Sequence, residues 1–278
     1  MTNPLQRYFR VPKLYVKLPS KSRFYPDNMI DQSVNQELAV YPLTAMDLIL
    51  LKTPDAILNG EALLKVVKNC VPDVQDVKLL VEPDINSILL AIRIASNGET
   101  MAWDTKCPSC QKDNTFEINL THILETQSFV DEPQAIDFQG ELRIHVRPYN
   151  FEQRNLQMLN EVEESQTLKL LNSDMEMTEQ EKMKRLSAHV DNMASRTFHV
   201  VSLSIESIEI VSTNERVTDR AYIEEFLKGI SNNQADVIIQ TIKQLNQTGI
   251  DTKNSFICES CGHEWEQNLD FDPTSFFD

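Results

Sequence analysis

Two pairs of cysteines carry the residue types and spacing most suited to chemistry in this chain, Cys107-Pro108-Ser109-Cys110 and Cys258-Glu259-Ser260-Cys261. Two residues between thiols let both sulfurs of a pair face one ion from a tight turn, and the N–H groups of that turn stabilise thiolates. Two such turns complete a tetrahedral shell. Strand-like stretches lead into both, Met101-Ala102-Trp103-Asp104 before the first and Ser255-Phe256-Ile257 before the second, so each pair reads as a knuckle at the tip of a hairpin. Gly262, directly after Cys261, suits the left-handed position such a turn often needs. The pattern assigns Cys107, Cys110, Cys258 and Cys261 as the ligands of one structural Zn2+ ion.

Other chemistries fit these residues less well. A redox dithiol needs a helix N-terminus to lower its thiol pKa, whereas Ser109 and Ser260 fall in turns between strands. A catalytic zinc keeps a coordination position open for water, and four thiolates fill it. His263 could replace a cysteine but reads better as a flanking residue, and His122, His145, His189 and His199 have no carboxylate or cysteine at ligand spacing in sequence. The chain contains no Gly-x-Ser-x-Gly elbow, no phosphate-binding Gly-Lys-Ser/Thr loop and no Gly-x-Gly-x-x-Gly. Glu163-Glu164 and Glu224-Glu225 read as solvated helix faces. The expectation is a protein without enzymatic activity.

Cys110 and Cys258 are 148 positions apart, so the metal would clip the middle of the chain to its far end. Everything between must then form an insertion that returns close to its start. Loop closure has an entropic cost that grows only logarithmically with length, and zinc–thiolate binding worth on the order of 10 kcal/mol can offset it.

The elements that position the knuckles follow from periodicity. Residues 1–43 read as an extended N-terminal arm with short strands, and 44–98 as a small helical region opened by Thr44-Ala45-Met46-Asp47 and closed by Gly98. Alternation in Thr115 to Leu120 and Leu142 to Val146 marks a β region over 99–150, which with 251–278 forms the zinc-ribbon-like part. Residues 151–250 read as a mainly helical insertion. Within it Asn150 and Thr178 cap two long helices, Ser204 to Val217 forms a hairpin, and two shorter helices run to Gly229 and from Gln234 to Leu245. The fold class is α+β, with zinc-ribbon-like hairpins clipped by a four-cysteine zinc site.

Composition narrows the partners. A net charge of −16 and a pI near 4.7 repel phosphate backbones, which excludes nucleic acid as a default partner. The first ten residues lack an apolar signal region and the apolar run Ser87 to Ala95 is broken by Arg93, so a cytoplasmic protein without membrane spans is expected. Five cysteines, four of them in metal-type pairs, fit a reducing compartment, and Cys70 reads as a buried apolar residue. Methionines at 158, 175, 177, 183 and 193 fit either a core or an adaptable binding surface. Phe271, Phe276 and Phe277 in the C-terminal tail fit either a core or a partner's surface.

Tyr8-Phe9 with Val11-Pro12, the stretch Pro19 to Pro26, Asn59-Gly60-Glu61-Ala62, the paired knuckles and the Phe-Asp-Pro-x-x-Phe-Phe tail together resemble the baseplate hub assembly proteins of T-even-like contractile-tailed bacteriophages. The resemblance spans nearly the whole chain and is strongest over Ile205 to Ile250 and the second knuckle. It implies an assembly factor or chaperone made in the host cytoplasm that binds baseplate hub proteins during tail assembly. A permanent hub subunit of the virion baseplate is the alternative. A zinc-ribbon accessory factor for transcription or replication fits less well, because Glu259, Glu264 and Glu266 surround the second knuckle where such factors place cations.

Overall fold

Alternation of apolar residues in Leu14–Lys17 and Glu37–Val40 makes the first two strands, β1 and β2, an antiparallel pair that sets Val16 opposite Leu38. Both side chains are buried, so the N-terminal arm contributes to a core from its first strand onward. The structure is a computed structural model and describes residues 5, 9–31, 37–53, 60–130, 134–173, 178–269 and 276. Contacts divide the chain into two units, residues 1–130 with 247–278 and residues 131–246.

In the first unit, helix α1 (Ala45–Leu51) starts where expected. The Thr44 hydroxyl accepts the Asp47 N–H while the Asp47 carboxylate accepts the Thr44 N–H, a reciprocal cap. Helix α2 (Glu61–Cys70) follows Gly60, whose φ of 68° is a conformation glycine adopts without steric cost. Helix α3 (Glu82–Asn97) carries Pro83 in its first turn and ends at Gly98, φ 102°. Ile85, Ile88, Leu90 and Ile92 on α3 are fully buried, and a helix apolar on nearly all sides belongs inside a core.

The period then switches to two. Strand β3 (Thr100–Lys106) pairs with β4 (Asp113–Asn119), with Trp103 opposite Phe116. Leu120, expected to end that strand, instead opens the short helix α4 (Leu120–Glu125), because the Asn119 side chain accepts the His122 N–H and caps it.

The second unit is built on an antiparallel sheet in the order β5 (Gln134–Phe138), β6 (Leu142–Val146), β7 (Ile205–Ile210) and β8 (Glu215–Val217). Two long helices, α5 (Phe151–Ser173) and α6 (Glu179–Leu203), connect β6 to β7, and α7 (Arg220–Gly229) and α8 (Asn232–Asn246) follow β8. Asn150 and Gln153 exchange side-chain-to-N–H bonds at the start of α5, and Thr178 and Glu181 do the same for α6. Ile144, Val146, Ile205 and Ile208 from the sheet meet Ile223, Leu227, Ile238 and Ile242 from α7 and α8 in one core.

This corrects one expected boundary. The sequence groups residues 134–146 with the knuckles, yet β6 pairs with β7, Ile144 opposite Ile208 and Val146 opposite Ile205, β5 pairs with β6, and both strands belong to the second unit. An alternating strand buries its apolar face against whichever partner completes a core, and sequence proximity does not select that partner.

Strands β9 (Lys253–Ile257) and β10 (Glu264–Asn268) form the last hairpin, back in the first unit. The chain leaves and re-enters that unit at adjacent points. Ser128 N–H donates to the Gly249 carbonyl at 2.8 Å, and the Gly249 N–H donates to the Ser128 hydroxyl at 3.0 Å. Gly249 has φ 102°, which strains any residue with a Cβ, and a Cβ there would stand 3.2 Å from Pro19 Cγ and 3.4 Å from the Pro83 carbonyl, so a side chain is disfavoured by conformation and crowded by Pro19.

Candidate metal centre

Each knuckle is closed by the same pair of backbone bonds. In the first, Cys107 N–H donates to Lys112 O at 3.0 Å and Gln111 N–H to Cys107 O at 2.9 Å; in the second, Cys258 N–H donates to His263 O and Gly262 N–H to Cys258 O, both at 2.9 Å. The residue four places after the first cysteine is left-handed in both turns, Gln111 at φ 59° and Gly262 at φ 71°. The glycine was legible in the sequence; its counterpart was not, because glutamine carries no signal for that conformation.

These turns bring the four expected sulfurs together. Cys107 Sγ lies 3.8 Å from Cys261 Sγ and Cys110 Sγ lies 3.6 Å from Cys258 Sγ, and all four fall within 4.8 Å of one another. A tetrahedral ion with metal–sulfur bonds of about 2.3 Å separates its sulfurs by roughly 3.8 Å, so the set has the dimensions of a thiolate metal site. His263 is outside the group. Its imidazole stacks on Trp265 at 6.4 Å, and its backbone N–H points at the Cys261 sulfur.

Proton affinities show why a cation suits this cluster. Desolvation pushes the Cys258 thiol up, yet N–H groups of Cys261 and Ser260 and the thiols of Cys110 and Cys261 outweigh it and bring its pKa to about 6. For Cys261 the His263 N–H acts downward, but desolvation and the neighbouring sulfurs of Cys110, Cys258 and Cys107 carry it to about 12. One thiolate is stabilised at the expense of another. A divalent ion at the centre removes that competition and lets all four ionise.

Packing between the hairpins supports the sulfurs. Phe116 on β4 contacts Phe256 on β9 at 4.7 Å and Trp265 on β10 at 5.9 Å. Asn114, buried, donates to Lys112 O at 2.9 Å and accepts the Glu259 N–H at 3.2 Å, joining one knuckle to the other. Thr105 donates to Gln267 at 2.8 Å across the same joint. Sequence reading missed Asn114, since a lone asparagine after a turn has no distinguishing pattern.

The remaining residues considered from sequence lie elsewhere. Cys70 is fully buried, away from the four-sulfur group; burial raises its thiol to about 11 although Arg10 donates to the sulfur. His145 and His199 do have carboxylate partners, Glu209 at 3.2 Å and Glu224 at 2.7 Å, reached across a sheet and between helices. Met158 and Met183 are exposed, Met193 is half-buried, and Met175 and Met177 lie outside the described residues. Phe276 is buried and its carbonyl accepts from Arg93 Nε at 2.7 Å, while Phe271 and Phe277 lie outside the described residues. No helix among the described residues is long and apolar enough to cross a membrane.

Comparison with known proteins gives one family. A family model described as T4 bacteriophage base plate protein matches residues 35–278, which include all four cysteines. No curated protein and no solved structure matches the chain.

Proposed function

From the premise that this chain belongs to the T4 bacteriophage base plate protein family, we propose that it is a non-enzymatic assembly factor for the baseplate hub of a contractile phage tail. In this reading it acts in the host cytoplasm, binds hub subunits before they join the baseplate, and carries one structural zinc ion on Cys107, Cys110, Cys258 and Cys261. The family match across both knuckles is the observation that carries it.

The four-sulfur cluster supports a structural role for the metal, because four thiolates leave no coordination position for a reacting water. Zinc, borderline-soft and without redox chemistry, suits four sulfurs at tetrahedral separations in a reducing compartment. When bound, the ion supplies a cross-link between residues far apart in sequence. A net charge of −16 supports a protein partner over a nucleic acid.

Quantitative mass spectrometry of purified phage particles beside infected-cell lysate tests the assembly role. The expected result is abundance in lysate and absence from finished particles. Stoichiometric copies in the particle would overturn the transient role and make the chain a permanent baseplate subunit. Metal analysis of the purified chain is expected to give one zinc per chain.

A further inference from the structure

Charge is divided unevenly along the sequence. Residues 1–26 hold six lysines and arginines and no acid, whereas residues 254–278 hold six acids and no lysine or arginine. Both segments belong to the first unit. From residue 9 to residue 18 exposure alternates, with Phe9, Val11, Lys13, Tyr15 and Lys17 exposed and the residues between them half-buried or buried. Phe9, Val11 and Tyr15 are 60%, 61% and 57% exposed. An extended chain sends every second side chain to one side, so these residues form an apolar and cationic stripe that runs into β1.

The hairpin of β9 and β10 presents the complement. Ile257, 57% exposed, stands directly opposite Glu264 in the register, so the two share the hairpin's outward face, while Phe256, opposite Trp265, turns inward to Phe116. Glu259, two residues beyond Ile257, is exposed as well. Existing ion pairs decide which charges are available. On the arm Arg10 turns inward to Asp47 and Lys17 shares Glu37 at 3.5 Å, and on the hairpin Glu266 pairs with Lys253. Lys13, Glu259 and Glu264 are exposed and pair with no charged group among the described residues.

We propose that the chain binds a second copy of itself head to tail, the stripe of one copy lying on the outward face of the other's β9–β10 hairpin, with Lys13 against Glu264 and Val11 against Ile257. Val11 and Lys13 lie roughly 7 Å apart along an extended chain and Ile257 and Glu264 roughly 5 Å apart across a hairpin, so the apolar contact and the ion pair form together. Both surfaces are exposed in one chain, so neither covers the other within a copy. Charge complementarity selects a second copy, since each carries the counterpart of its own stripe. A duplex, with a charge every 1.7 Å or so, would instead run past the stripe onto residues 27–278, which hold all 42 acids. Two copies that exchange both contacts close a dimer, and copies that exchange one extend into rings or chains. The contact does not depend on whether the protein leaves the finished baseplate.

Sedimentation velocity of the full-length, zinc-loaded chain tests the contact. Copies of like net charge repel, so salt acts on encounter and on contact in opposite directions, and charge exchange is the cleaner probe. Wild type is expected to associate as concentration rises. Lys13→Glu and Glu264→Lys should each weaken association at least about tenfold, because either one sets like charges together, and the chain carrying both should recover it. A mixture of the two single variants should also associate, each arm meeting an opposite charge on the other variant's hairpin. Ile257→Ser should weaken association without reversing these preferences. Thermal midpoints should stay unchanged, because all three residues are exposed. A chain that stays monomeric, association indifferent to the single reversals, or reversals that neither the double variant nor the mixture rescues overturns the proposal. Capture of duplex DNA or of a baseplate subunit through Lys13 by a monomeric chain also overturns it, by giving the stripe to another partner.

Discussion

The two cysteine hairpins and the four-stranded sheet of the second unit are both made of short antiparallel strands, yet different forces hold them. Along β3 and β10 the residues alternate between exposed and half-exposed, with none buried, and the aromatic contacts of Phe116, Phe256 and Trp265 are the main apolar joint between hairpins. Strands β6 and β7 instead bury Ile144, Val146, Ile205 and Ile208 under Ile223, Leu227, Ile238 and Ile242. An isolated two-stranded hairpin is marginal in water, whereas three or more strands covered by helices are not. The sheet has a core and the hairpins need a cross-link.

Removing the cross-link is therefore the largest perturbation available. Cys258→Ser, or a strong chelator, forfeits metal binding worth on the order of 10 kcal/mol. Hydrogen exchange should show β3, β4, β9 and β10 losing amide protection while β6 and β7 keep theirs. Equal loss in both regions would break the contrast.

The converse experiment is Ile238→Ala, which opens a cavity beneath the sheet at a fully buried position. It should cost about 2–5 kcal/mol in denaturant unfolding monitored in the second unit, while metal content stays at one ion per chain. Metal loss on this substitution would mean that the two regions are not separately stabilised.

The same contrast explains what the sequence made legible. Ligand chemistry is local in type and spacing, so all four cysteines could be chosen before their 148-position separation was bridged. Helix starts at Thr44, Asn150 and Thr178 were legible because a cap is a contact between residues three apart. The partner of β6 was not, since Ile144 and Val146 would suit any apolar strand and only the assembled core selects Ile208 and Ile205. Asn114 and the carboxylates facing His145 and His199 were hidden for the same reason: each contact joins residues distant in sequence.

Within the first unit, pH separates the metal centre from the arm latch at Asp84. That carboxylate is fully buried at the start of α3 and accepts from the Ser20 N–H at 2.8 Å and from the hydroxyls of Ser20 and Tyr25 at 2.5 Å. Burial raises its pKa from 3.8 to about 6, against the lowering effect of those bonds. A carboxyl raised on folding binds its proton more tightly in the native state. Its contribution is complete below pH 3.8 and is lost as pH rises to about 6, about 3 kcal/mol in all. Thiolate ligands have the opposite sign, because protons compete with the metal as pH falls. Unfolding of the apo chain followed from pH 4 to 7 should show the loss, and Asp84→Asn should flatten it; a metal-loaded chain should instead release its ion towards the acid end.

The smallest effect is expected between the two knuckles themselves. Gln111 and Gly262 occupy the same left-handed position, at φ 59° and 71°, but only the glycine does so without crowding its Cβ. Gln111→Gly removes that penalty, roughly 1–2 kcal/mol, and adds unfolded-chain entropy worth about 0.4–1 kcal/mol the other way. It also deletes the bond from Gln111 Nε2 to Pro108 O, exposed at 3.1 Å and so worth little in water. The expected net gain is about 0.5 kcal/mol, read as slower metal transfer from the chain to a chelator. Gly262→Gln should hasten transfer by a slightly larger margin, because the crowding is added, the stiffer unfolded chain offsets only part of it, and no side-chain bond is deleted to shrink the effect. Reversed signs, faster transfer for Gln111→Gly and slower for Gly262→Gln, would instead show that chain entropy, and not the left-handed turn, distinguishes the two knuckles.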